Sequence, residues 1–188
     1  MGYDQVGGAS YGPYQLSTKT GKLGEFLESP GVKEAFGNLT PGTPEFKTKW
    51  ETMSNDPAFI EKQKEFMFKD YIRTRDYLIN AYGIDPSTDA GLANSVFSLA
   101  DQHGVGGAKS ILDTVLAANP NPSAKDLVPG LYDERMRIQS DGKLAHFPNS
   151  TPAVQRSVFN RFQNENQDAL GMVGAPVDLN SLPARAYR

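Results

Sequence analysis

Residues 57–82 read PAFIEKQKEFMFKDYIRTRDYLINAY, and this run decides the fold class. Asp56 followed by Pro57 has the form of a helix cap with proline at the first helical position, where the missing N–H costs nothing. Phe59, Ile60, Gln63, Phe66, Met67, Ile72, Leu78 and Tyr82 then recur at helical spacing, and Gly83 supplies the stop. The spacing predicts one helix of about 26 residues. Its stripe of Phe59, Phe66, Met67 and Leu78 has the composition of packed core rather than of a cofactor box.

Outward from this helix the chain keeps the same punctuation. Upstream, KLGEFLES (22–29) is helical and ends at Pro30-Gly31, and a short helix is expected at about 32–37. Thr43-Pro44 caps a helix that carries Phe46, Trp50 and Met53. Downstream, Asp85-Pro86-Ser87-Thr88 opens a helix with Leu92, Val96, Leu99 and Ala100 on one face, ending near Gln102-His103-Gly104. After Gly106-Gly107, residues 108–118 are helical through Ile111, Leu112, Val115 and Leu116. Pro120 and Pro122 break the chain, and Ser123 caps a helix that runs to about Arg137. Residues 138–150 are polar and loop-like. Thr151-Pro152 opens a last helix through Val154, Val158, Phe162 and Leu170, to about Val173. Residues 174–188, with Gly174, Pro176 and Pro183, are expected to form an extended C-terminal tail.

The first 21 residues differ from all of this. They hold five Gly, three Tyr, one acid and no Glu. Gly7-Gly8 is a turn signal, and Tyr11, Tyr14 and Leu16 favour extended backbone, so a β-hairpin or irregular β-loop is expected. The chain is thus mainly α, with a small N-terminal β-hairpin lobe.

Composition bounds the chemistry. The chain has 188 residues and a net charge of −3, which argues against a nucleic-acid partner. It has no Cys and two His, His103 and His146, so neither a thiol nucleophile nor a Cys- or His-rich metal centre is expected, and no cofactor motif is present. No apolar run reaches membrane-spanning length, and no signal peptide opens the chain.

Gly7-Gly8-Ala9-Ser10-Tyr11-Gly12-Pro13-Tyr14-Gln15-Leu16 combines a tight turn, aromatic faces and an amide. Rings stack on the apolar faces of sugars and amides bond their hydroxyls; the same residues equally suit a structural hairpin packed on helices. The segment resembles the G-x-x-Q signature of soluble lytic transglycosylases and goose-type lysozymes. With Gly2-Tyr3-Asp4 it is similar to lysozyme-like domains of phage tail proteins and secreted effectors, distantly related to chitosanases. Ser98-Leu99-Ala100-Asp101-Gln102-His103-Gly104 resembles the S-x-x-V-Q-H-G segment of those domains, with Asp101 in place of Val. Tyr132-Asp133-Glu134-Arg135, His146-Phe147 and Arg161-Phe162-x-x-Glu165 resemble positions of their C-terminal half.

That resemblance implies a lysozyme-like domain over residues 1–173 that cleaves β-1,4 bonds between amino sugars of a peptidoglycan strand, as a muramidase or lytic transglycosylase. It implies substrate contacts from Ser10, Tyr11, Tyr14, Gln15, Gln102 and His103, with Asp4 as a catalytic carboxylate that orients water. Asp4 is also a common turn residue, and Gln15 suits either sugar contact or a backbone tie. Such chemistry needs an acid of raised pKa. In these families it is a Glu on a helix before the G-x-x-Q segment, and here none of the eleven residues before Gly12 is Glu. The acid-bearing helix is therefore encoded upstream, supplied by another polypeptide, or lost. The last case gives the alternative: a non-catalytic structural or cell-wall-binding component of a virion or secretion apparatus. Either reading implies virion-associated or secreted localisation, with other virion or secretion-apparatus proteins as partners. Glu25 and Glu28 are expected to be surface charges, and Glu134-Arg135 and Arg161/Glu165 to be ion pairs.

Overall fold

A computed structural model describes residues 2–4, 8–12, 14, 16–19 and 21–178. These residues form seven α-helices, one 3-10 turn and a small antiparallel sheet, so the chain is mainly helical with an N-terminal hairpin, as its sequence pattern indicates. Chain contacts divide it into two compact units, one centred on Met1–Met67 and one on Phe68–Ala186.

The first unit begins with strands β1 (Gly2–Asp4), β2 (Gly8–Tyr11) and β3 (Leu16–Ser17) in the order β1-β2-β3. The register places Asp4 opposite Gly8 and Tyr11 opposite Leu16. The expected hairpin is thus extended by a short third strand. Helices α1 (Lys22–Leu27), α2 (Val32–Phe36) and α3 (Pro44–Met53) follow. Thr43 caps α3 as its sequence requires, with Oγ1 accepting from Phe46 N at 3.3 Å. Each short helix contributes an aromatic side chain to one core. Trp50 lies at centroid distances of 5.2 Å from Tyr11, 5.6 Å from Phe36 and 5.1 Å from Phe59. Short helices of this length are not stable alone; the shared aromatic burial holds them. Helix α4 (Pro57–Tyr82) runs over the whole stretch that the spacing predicts.

In the second unit a 3-10 turn (Pro86–Thr88) leads into α5 (Ala90–Ala118). The first turns of α5 are buried nearly all round, from Ala90 to Ala100, as in a helix that other helices surround. A Cβ at Gly91 would collide with the carbonyl of Ala169 on α7 (Pro152–Leu170), so glycine sets that close approach. The break expected at Gln102-His103-Gly104 is present as a kink: Gly104 has φ 65° and ψ 171°, and helix continues beyond it. The left-handed φ is one that glycine adopts without steric penalty. Helix α6 (Ala124–Arg135) begins with a capping box between Ser123 and Asp126 and ends two residues before the expected Arg137. Thr151 caps α7 through Oγ1, which accepts from Val154 N.

The start of the expected tail is fastened. Gly174 N donates to Asp89 Oδ2 at 2.7 Å and Ala90 N donates to the carbonyl of Ala175 at 3.0 Å, so one carboxylate both caps α5 and ties down the chain after α7. The remainder of that tail, residues 179–188, lies outside the described residues. Among the described residues no helix is long and apolar enough to cross a membrane.

Candidate functional site

The residues expected to contact substrate fall into the two units, and each group is described within its own. In the first unit, Asp4 takes its place in β1, and its side chain and the whole of Gln15 lie outside the described residues. Ser10 is buried on β2. Tyr11 is 2% exposed; its ring meets Phe46 edge-on at 5.1 Å, and its hydroxyl accepts from Gly42 N at 3.1 Å. Tyr14 is half-buried, and burial, with the charge of Glu61 second, raises its phenol above the ordinary value. Beneath the turn lies Gln63, 1% exposed, and a Cβ at Gly12 (φ 73°) would collide with its Oε1. Gly12 is favoured by its left-handed backbone angle, and a side chain there would also have to displace the end of Gln63.

In the second unit Gln102 and His103 sit just before the Gly104 kink, where α5, α6, α7 and the 138–150 loop meet. The centre is Arg135, which is fully buried. Its Nη2 donates to Ser98 Oγ at 3.0 Å, Ser98 donates to Glu165 Oε2 at 2.6 Å, and Arg135 Nη1 lies 3.6 Å from the same carboxylate oxygen. The guanidinium also stacks 3.8 Å above the centroid of Phe162. Arg161 approaches the other oxygen of Glu165 at 3.3 Å and donates to Gln102 Oε1. Two guanidiniums therefore share one carboxylate, and the cluster keeps an excess of positive charge.

That excess acts on His103. Its ring packs 5.5 Å from His146, 5.6 Å from Phe147 and 6.2 Å from Phe162. Burial first, then Arg135, His146 and Arg161, push its pKa down to about 3. The imidazole is held neutral, and its Nε2 makes no hydrogen bond. Nearby, His146 Nε2 lies 3.0 Å from Glu134 Oε1, and Arg137 Nε donates to Glu134 Oε2 at 2.8 Å. Burial favours the neutral form of Glu134, but these partners outweigh it and hold the carboxyl below its ordinary range.

The i,i+4 pair of Arg161 and Glu165 is present as the spacing predicts. The expected pairing of Glu134 with Arg135 is corrected: adjacent helical residues point about 100° apart, so Glu134 turns to Arg137 and His146 while Arg135 turns inward to Glu165. Glu25 and Glu28 are exposed, as expected. Gln63 falls on the helical spacing of the buried α4 residues, but its contact with the turn at Gly12 and the burial of Arg135 carry no signal in sequence, because both depend on which elements pack around them. Chemically the cluster is a polar lock: the imidazole is kept neutral and the carboxylates are engaged by cations.

One consequence is measurable. The unfolded His103 titrates near 6.5 and the folded one near 3, so the unfolded chain binds more protons between those values. This contribution to stability is full above about pH 6.5 and is lost as pH falls toward 3, with a slope of up to about 1.4 kcal/mol per pH unit. In an NMR titration from about pH 5 to 8 the His103 ring shifts should stay constant. In urea unfolding, His103→Phe should flatten the acid side of the stability profile.

A family model described as "Type VI secretion system spike protein VgrG3-like, C-terminal" matches residues 1–166. The chain is also similar to the type VI secretion system spike protein VgrG3 of Vibrio cholerae serotype O1 (strain ATCC 39315 / El Tor Inaba N16961). The two are 37% identical over 68 residues, which cover 35% of this chain and 7% of that much longer protein. These matches overturn three expectations: membership of the lysozyme superfamily, activity as a peptidoglycan-cleaving muramidase or transglycosylase, and a place in a phage tail. The resemblance rested on short runs of Gly, Tyr and Gln. In the fold, Tyr11 packs in the core and Gly12 accommodates Gln63, so packing alone accounts for part of that run.

Proposed function

The chain belongs to the VgrG3-like C-terminal family of type VI secretion spike proteins, and on that premise we propose that it is a non-catalytic secretion component, a module secreted with a spike and associated with other proteins of the apparatus. The observation that carries this reading is the extent of the family match, which takes in both the sheet and α7 up to Asn166. The cluster around Arg135 supports it, since its one carboxylate, Glu165, is taken up by Arg135 and Arg161.

Cross-linking of the assembled apparatus tests the reading. Links are expected between this chain and other secretion-apparatus proteins, and an assembled spike in which the chain makes none contradicts it. A second arm addresses the non-catalytic part: the purified chain is expected to release no reducing ends from peptidoglycan, and release would refute that part.

A further inference from the structure

The chain leaves α7 through residues 171–175, where Ala175 N donates to the carbonyl of Met172 at 3.0 Å and closes a turn. Gly174 takes φ 85° there, and a Cβ on it would meet nothing within 4 Å, so its backbone angle rather than lack of space favours glycine. The turn faces the start of α5. The first N–H groups of a helix have no acceptor within it, and Ala90 N finds the carbonyl of Ala175 at 3.0 Å. Asp89 divides its carboxylate: Oδ1 accepts from Leu92 N at 2.9 Å and Oδ2 from Gly174 N at 2.7 Å. The seat is close, since a Cβ at Gly91 would stand 2.8 Å from Val173 Cγ2 and 2.9 Å from Val173 N. The two sides of this contact differ in burial. Ala90, Gly91 and Leu92 are buried, whereas none of residues 171–175 is.

We propose that residues 171–175 are a latched strap, which releases from α5 as one unit while the helices stay folded, with Asp89 as the latch. A segment with few buried apolar contacts and hydrogen bonds near solvent opens at lower cost than a helical core. Release breaks two bonds together, Gly174 to Asp89 and Ala90 to Ala175. The Leu92 cap stays, because it uses the other carboxylate oxygen. The strap lies beyond Asn166, where the family match ends. The inference stands apart from the secretory role, and either can fail while the other holds.

The test is native-state hydrogen exchange of the whole chain, read by NMR. The amides of Gly174 and Ala90 are expected to share one protection factor, at least about tenfold below that of Leu112 in the core of α5. Low concentrations of urea should speed exchange at Leu112 and barely change it at Gly174 and Ala90, because strap release exposes little surface. Asp89→Ser keeps a good cap for Leu92 but has no second oxygen for Gly174. It should lower protection of both strap amides by about tenfold or more, as loss of a hydrogen bond to a charged group does. Ile111→Val, a core truncation, should lower protection at Leu112 severalfold and leave Gly174 and Ala90 unchanged. The proposal is overturned if the two strap amides follow Leu112 in urea and in Ile111→Val, or if their protection factors differ from each other. It is equally overturned if both are unprotected, or if Asp89→Ser leaves them as they were. The urea series needs no variant, so it decides even if Asp89→Ser does not fold.

Discussion

Arg135→Ala is expected to destabilise the fold by about 3–5 kcal/mol, the usual cost of removing one partner from a buried ion pair. Arg135 is fully buried, and its guanidinium bridges Ser98 of α5, Glu165 of α7 and the ring of Phe162. Alanine leaves a cavity and takes one of two cations from the Glu165 carboxylate, which is only 15% exposed and keeps Arg161. Much of the loss should come from the vacated volume and the lost contacts with Ser98 and Phe162, so Arg135→Met, which keeps most of the side chain's bulk, should cost clearly less than Arg135→Ala. Urea unfolding followed by far-ultraviolet circular dichroism gives both values. A loss below about 1 kcal/mol in Arg135→Ala, the range of exposed pairs, would show that Arg135 does not anchor the three helices.

The second large effect belongs to the first unit. Phe59→Ala should cost about 3–5 kcal/mol, as a large aromatic truncation in a closed core does. Phe59 is 2% exposed, and its ring meets Phe26, Phe36 and Trp50 at 5.7, 5.8 and 5.1 Å. These side chains come from α1, α2, α3 and α4, so one deletion loosens four elements. Trp50 is the chain's single tryptophan and reports directly. Its emission should move to longer wavelength in the folded variant as the cavity loosens the packing around it. Unchanged emission with wild-type stability would mean that the aromatic cluster does not hold the short helices together.

What could be read in the sequence was local. Thr43, Ser123 and Thr151 cap their helices because a cap needs only its own next three residues. The repeat of apolar residues from Phe59 to Leu78 carries α4 over its whole length. Gly104 announced a break but not its nature; helix resumes beyond it because the residues that follow still bury Ala108, Ile111 and Leu112. The site was less legible. Which carboxylate Arg135 faces depends on the packing of α6 against α5 and α7, a tertiary fact that no spacing encodes. The Gly-, Tyr- and Gln-rich start misled in the same way, since residue types that suit a sugar cleft also suit a turn over a buried amide.

The secretory reading is tested most directly by following the polypeptide that carries this chain in the cells that make it. Its amount in the culture supernatant should be compared between cells with an intact type VI apparatus and cells in which that apparatus is inactivated. It should appear outside the intact cells and be absent from the supernatant of the inactivated ones. Equal amounts in both supernatants, or retention inside cells whose apparatus is working, would contradict its role as a component secreted with the spike.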